Sequence, residues 1–333
     1  MKLKIIINSI LILAAFHTYA QSDVQFSQYV FNGLSVNPAY AGYKEDWYVN
    51  GSYRKQWVSF PGAPQTGSVS IDGLTNDQNK NTGIGGQLMF DKLGPQQTIS
   101  LFGSYSFRIR LDDADTKRLC LGIGVGLDQY SINGNDLQYV DANDPSIPVG
   151  NATAISPDAR CGVYYYSPRF YIGASVLNMF SLYGNKIVYG NNGILFSSIK
   201  KNPTVYLTSG TLVDLSDEVK LKPSFMIKED FHGPTSLDIN LFALLSEKLW
   251  VGASYRTAVK LWNKDNLSSN LSSNGAVSAL AELYVTENLR IGYSYDFLTS
   301  GIANYQAGTH EISVGILFPN KKNQERIKSP RYF

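Results

Sequence analysis

Leu289-Arg290-Ile291-Gly292-Tyr293-Ser294-Tyr295-Asp296-Phe297 decides the fold. Its odd positions carry Leu, Ile, Tyr, Tyr and Phe, with Arg, Gly, Ser and Asp between them, so an extended chain presents one apolar face and one small or polar face. The same period of two returns in Ile312, Val314, Ile316 and Phe318 against Glu311, Ser313 and Gly315, and in Leu249, Val251, Ala253 and Tyr255 against Gly252, Ser254 and Arg256. A soluble sandwich also alternates, but it buries its apolar face. A membrane barrel turns that face to lipid and keeps the polar one for an enclosed lumen.

Composition favours the barrel. Among 333 residues there are 22 Tyr and 29 Gly but only 17% charged residues, which suits many short strands with an aromatic girdle. A formal net charge of +2 offers no global attraction for nucleic acid, so none is expected as a partner. Residues 1–20 have a basic start (Lys2, Lys4), an apolar run from Ile5 to Phe16 and small Ala20 before Gln21, the pattern of a secretory signal peptide. The mature chain is expected to begin near Gln21. No apolar run of about eighteen residues follows, so any crossing of a membrane is expected through strands.

Alternating segments bounded by Gly, Pro, Asn, Asp or Ser clusters number about fourteen and run from residues 46–57 to 307–318. Most reach the roughly nine to eleven residues that a tilted strand needs to span a bilayer. The even-numbered connections are short, as at Ser167-Pro168, Ser246-Glu247 and Val285-Thr286. The long segments Ser131–Ala154, Met179–Asn202 and Val259–Asn274 all fall on odd-numbered ones. The expected fold is therefore all-β: a transmembrane antiparallel β-barrel with short periplasmic turns and long extracellular loops. Residues 1–20 are read as the leader, 21–45 as a periplasmic segment or plug, 46–319 as the barrel and 320–333 as a basic periplasmic tail.

Several local patterns carry expectations of their own. Gly122, Gly124 and Gly126 share one face of the fifth strand, as either a glycine-tolerant lumen wall or room for a lumenal plug. Tyr164, Tyr165 and Tyr166 end the sixth strand, where an aromatic girdle is expected. Cys120 and Cys161 fall on successive strands, where a cross-strand bridge is conceivable. The three histidines are His17, His232 and His310, and His310 and Glu311 adjoin on a strand, so they face opposite sides and would not readily share a metal. With no GxSxG or HExxH motif, neither catalysis nor a cofactor is expected.

Landmarks spread along the chain resemble the PorP/SprF family of outer-membrane proteins, associated with type IX secretion and gliding in Bacteroidetes. They are Gln25-Phe26-Ser27-Gln28-Tyr29, Phe31-Asn32-Gly33, Asn37-Pro38-Ala39-Tyr40-Ala41-Gly42, Tyr53-Arg54-Lys55-Gln56-Trp57 with Gly62-Ala63-Pro64-Gln65-Thr66, Gly292-Tyr293-Ser294-Tyr295-Asp296, His310-Glu311-Ile312-Ser313 and Ser329-Pro330-Arg331-Tyr332-Phe333. The resemblance implies an integral outer-membrane barrel that is a partner, anchor or assembly factor. Its implied partners are a large secreted surface protein or adhesin, periplasmic secretion-ring components, or both, besides outer-membrane lipid. The alternative from another class is a porin or transporter-type channel for small or hydrophobic solutes, its case resting on a polar lumen with Arg54, Arg256, Arg290 and Asp296.

The candidate docking or plug residues are Asn37, Pro38, Tyr40, Arg54, Trp57, Arg331, Tyr332 and Phe333; the candidate lumen pairs are drawn from Arg54, Glu311, Arg290 and Asp296. Two readings of Arg54 stand open: it holds the carbonyls of the Asn37–Gly42 segment, with Trp57 on the opposite strand face at the membrane interface, or it pairs with a carboxylate on a neighbouring strand. The first and last strands of a closed barrel are neighbours, which makes Glu311 the candidate for that pairing.

Overall fold

The computed structural model describes residues 26–76, 78–137, 150–182, 186–191, 194–264, 274–299 and 303–319. The leader, the start near Gln21 and the tail residues Arg331, Tyr332 and Phe333 lie outside the described residues. The strands are β1 (Trp47–Lys55), β2 (Gln65–Leu74), β3 (Thr82–Leu93), β4 (Gln96–Arg110), β5 (Arg118–Asn133), β6 (Asn151–Tyr166), β7 (Phe170–Leu177), β8 (Lys186–Asn191), β9 (Ile194–Lys200), β10 (Thr204–Thr211), β11 (Val213–Asp214), β12 (Val219–Glu229), β13 (Thr235–Leu245), β14 (Leu249–Val259), β15 (Asn274–Tyr284), β16 (Leu289–Leu298) and β17 (Thr309–Phe318).

Fourteen of these build a closed wall, namely β1 to β7, β10 and β12 to β17, each antiparallel to the next. The ring closes where β1 pairs with β17, from Trp47 opposite Phe318 to Lys55 opposite His310. Closure leaves no unpaired edge in the wall, which is what a sheet in hydrocarbon requires. Among the described residues no helix is long and apolar enough to cross a membrane.

The alternation read from the sequence maps onto the two faces. On β5, Leu121, Ile123, Val125 and Leu127 face outward, Ile123 and Val125 being 60% and 65% exposed, while Cys120, Asp128 and Tyr130 are buried inside. On β16, Ile291, Tyr293 and Phe297 are exposed and Arg290, Ser294 and Asp296 buried. The exterior thus carries a continuous apolar band, far beyond the few hundred Å2 of patch that a soluble monomer ordinarily shows to water. Lipid is the solvent that such a band fits.

Two expectations are corrected in detail, and one open possibility is closed. The segment expected as one loop at Met179–Asn202 contains the β8–β9 hairpin, joined to the wall where Gly190 pairs with Thr153 on β6. β5 and β6 run on to Asn133 and from Asn151, consuming both ends of the loop expected at Ser131–Ala154 and raising the wall on that side. Cys120 and Cys161 are both free. Cys120 is opposite Tyr164 and Cys161 opposite Ile123, and they sit at odd and even positions of opposite faces, so no bridge can form.

Candidate functional site

Residues 26–46 do not join the wall. They cross the lumen from its long-loop end, beside Asp296 and Glu311, to its short-turn end, where β1 begins, through three single 3-10 turns at Tyr29–Phe31, Gly33–Ser35 and Pro38–Tyr40. The last turn is set locally: Asn37 is extended, its Oδ1 accepts the Ala39 N–H at 2.9 Å, and Pro38 occupies the first position, where an N–H would be unused. The segment forms the centre of the barrel's apolar core, with Tyr29, Phe31, Leu34, Ala39, Tyr40, Ala41 and Tyr43 all nearly inaccessible and packed against inward wall residues.

At the long-loop end an ion cluster holds Ser27 and Gln28. Arg54 Nη1 donates to Ser27 Oγ at 2.9 Å and to Glu311 Oε2 at 3.0 Å, and Nη2 donates to Asp296 Oδ2 at 2.5 Å. Ser27 Oγ donates onward to the Asp296 carboxylate at 2.8 Å, while the Ser27 and Gln28 N–H groups donate to Glu311 at 2.7 and 3.2 Å. Gln28 Oε1 accepts from Ser313 Oγ at 2.5 Å. One guanidinium thus bridges two carboxylates, which also accept from the inserted segment's Ser27 and Gln28, so each buried charge has hydrogen-bond partners.

Lower in the lumen, Arg290 Nη1 pairs with Glu282 at 2.8 Å and Nη2 donates to the Phe31 carbonyl at 2.6 Å. The Phe31 ring stands 5.8 Å from Phe242 and 5.9 Å from Trp250, with the Lys222 ammonium 5.4 Å from its centroid. Asn240 donates to the Tyr29 hydroxyl at 2.8 Å. Near the short turns, Asn37 Nδ2 donates to the Val163 carbonyl at 3.0 Å, Ser106 Oγ to that of Ala39 at 2.9 Å, and Gly42 N to Asp72 at 2.9 Å. Glu45 forms an ion pair with Lys80.

The wall is shaped to receive this segment. A β carbon built at Gly83 would lie 2.0 Å from the Ala41 carbonyl oxygen, so the two backbones meet only because a side chain is missing. Of the three glycines on β5, Gly122 faces the segment; Gly124 and Gly126 instead abut β4.

The structure brings Arg54, Asp296 and Glu311 together and places Arg290 elsewhere, with Glu282. Arg54 contacts the inserted segment at Ser27, not at the Asn37–Gly42 carbonyls. Trp57 lies beyond the end of β1 at φ 44°, so the strand-face argument pairing it with Arg54 does not apply; its N–H donates to Thr309 Oγ1 at 3.2 Å. Tyr164 and Tyr166 point inward, packing on Tyr40 and Tyr43, and only Tyr165 is on the outer face: alternation forbids three consecutive girdle residues. Glu282, Asn240, Lys222 and the Asp238–Arg256 pair were not singled out as contacts of this segment. Their inward period-two positions marked them as lumenal, but no sequence signal names their partners.

Among the described residues, no group of three or more His, Cys, Asp or Glu side chains is arranged to hold a metal ion.

The fold resembles that of the CymD monoaromatic hydrocarbon channel, with a TM-score of 0.52 at 11% identity, covering 87% of this chain and 93% of that one. The toluene transporter TbuX of Ralstonia pickettii aligns at 0.49 with 8% identity over 86% and 93%, and Omp33 of Acinetobacter baumannii at 0.45 with 9% identity over 83% and 100%. At these identities the likeness is one of fold. No curated protein matches the sequence. The family described as type IX secretion system membrane protein PorP/SprF matches residues 18–316, and its landmarks Ser27, Arg54, Asp296 and Glu311, distant in sequence, are the residues of the upper ion cluster. A lipid-facing apolar wall, a polar lumen and this match over nearly the whole chain have one reading: the protein is an integral outer-membrane β-barrel and belongs to the PorP/SprF family.

Proposed function

We propose that the protein is a non-enzymatic partner barrel of the type IX secretion apparatus, in which residues 26–46 are a resident plug and work is done at the two membrane-exposed ends. The observation that carries this reading is the attachment of the plug at three levels, to Arg54 with Glu311, to Arg290 and to Ser106. A lumen filled in this way has no role for solute flow, which leaves the long loops to retain or guide a secreted surface protein. The periplasmic side, with the basic tail ending in Arg331-Tyr332-Phe333, docks ring components, and Asn37, Pro38 and Tyr40 serve the plug as its lower anchor.

The fold likeness to CymD, a monoaromatic hydrocarbon channel, favours a second reading, a conduit for hydrophobic solutes. Deleting the gene in its host separates the two. The partner reading expects loss of secreted proteins from the cell surface with unchanged uptake of labelled toluene; the channel reading expects the reverse, and that result would overturn the proposal.

A further inference from the structure

The outer surface of β17, β1, β2 and β3 near the long-loop end carries a cationic row. Register places Lys55 beside His310 on one side and Gln65 on the other, with Lys92 beyond Gln65, all on the outward face. Lys55 and Lys92 are exposed, and among the described residues neither ammonium has a hydrogen-bond or ion-pair partner. The Gln65 amide and the His310 ring are instead positioned by tyrosines, Tyr53 Oη donating to Gln65 Oε1 at 3.0 Å and Tyr293 Oη lying 2.7 Å from His310 Nδ1. No Asp or Glu occurs from Trp47 to Ile71 or from Thr299 to Gly308, the segments bordering this row, and Asp91 turns inward to Thr66. The local charge is therefore of one sign.

Two residues further into the membrane, about 7 Å along each strand, the same columns carry Phe90, Gly67, Tyr53 and Ile312. One step beyond come Leu88, Val69, Gly51 and Val314. Gly67, opposite Tyr53, and Gly51, opposite Val69, are diagonal outward neighbours without side chains; a β carbon at Gly51 would meet nothing within 4 Å, and one at Gly67 would meet the Tyr53 ring at 4.0 Å. They leave a shallow depression between Tyr53, Phe90, Val69 and Val314 whose upper end is Gln65, flanked by the two lysines. An apolar depression beneath two ammonium groups that flank Gln65 at headgroup level matches one ligand chemistry.

We infer that this face holds an outer-leaflet lipid by its phosphorylated headgroup, with Lys55 and Lys92 on the phosphates and an acyl chain along Gly67 and Gly51. The site lies outside the lumen and is independent of the plug. Native mass spectrometry of the full-length mature barrel, loaded with bisphosphorylated lipid A or its dephosphorylated form, tests it. The wild type is expected to retain the phosphorylated lipid with a preference on the order of tenfold, the scale two basic groups supply near a charged surface. The Lys55→Gln/Lys92→Gln variant is expected to lose that preference and Lys55→Arg/Lys92→Arg to keep it, with heat-modifiable migration on gels confirming that each is folded. Lys117→Gln/Lys248→Gln, which removes two exposed charges at the short-turn end, is expected to leave retention unchanged. Equal retention by the Lys55/Lys92 glutamine variant, or equal loss in the short-turn control, would overturn the site.

Discussion

Gly122 of β5 and Ala39 of the inserted segment are in such close contact that a β carbon built on the glycine would stand 2.1 Å from the Ala39 nitrogen. Wall and plug meet here backbone to backbone, so any side chain at 122 must displace the segment. Gly122→Val is expected to cost about 1–3 kcal/mol, the range for overpacking, seen as a lower urea midpoint in detergent. Gly103→Val, on the outer face where a β carbon meets nothing within 4 Å, is the matched control and is expected to be neutral.

Arg54 is the single cation facing both Asp296 and Glu311 in the upper cluster. Arg54→Met removes the cation that bridges the two buried carboxylates and the donor to Ser27. A loss of roughly 3–5 kcal/mol is expected, as for breaking other buried pairs, measured by equilibrium unfolding. Arg54→Lys is expected to recover only part of it, because an ammonium cannot span both carboxylates and the serine in one plane.

The outward face of β5 sets a different test. Val125→Arg, at the middle of the strand and 65% exposed, is expected to destabilise the barrel by about 2–4 kcal/mol in lipid, the cost of a cation near the bilayer midplane. Were that face in contact with water, the same change would be tolerated, so unfolding measured after refolding into phospholipid vesicles tests the lipid contact.

Cys120 and Cys161 face opposite sides of the wall as free thiols. Alkylation after denaturation without reductant is expected to modify both, read by intact mass; a species two mass units lighter and unmodified would contradict the register of β5 against β6.

The wall was legible because alternation is a local property: each odd or even set on β5, β14, β16 and β17 declares its face without knowledge of its neighbours. Register was legible at one place, the seam, where closure alone makes Arg54 and Glu311 neighbours. What filled the lumen was not. The contacts of Ser27, Phe31 and Asn37 join residues up to 284 positions apart and depend on how a non-periodic segment folds inside the finished barrel. Asn37-Pro38 announces its turn, but nothing in the sequence states that Asn37 reaches Val163 or that Phe31 reaches Trp250. The β8–β9 hairpin was hidden for the opposite reason, since a short extra-membrane hairpin needs no lipid-facing stripe. Tyr164 and Tyr166 were misplaced because a cluster of aromatic residues was read by composition where period two decides.

The central claim is that the chain's own residues 26–46 close the lumen of a membrane barrel. Single-channel recording of the mature protein in planar bilayers tests it most directly, beside a variant lacking residues 21–45 shown to be folded by heat-modifiable migration. The account predicts a silent wild type and a variant with steady conductance. Steady, ohmic current through the wild type would contradict it.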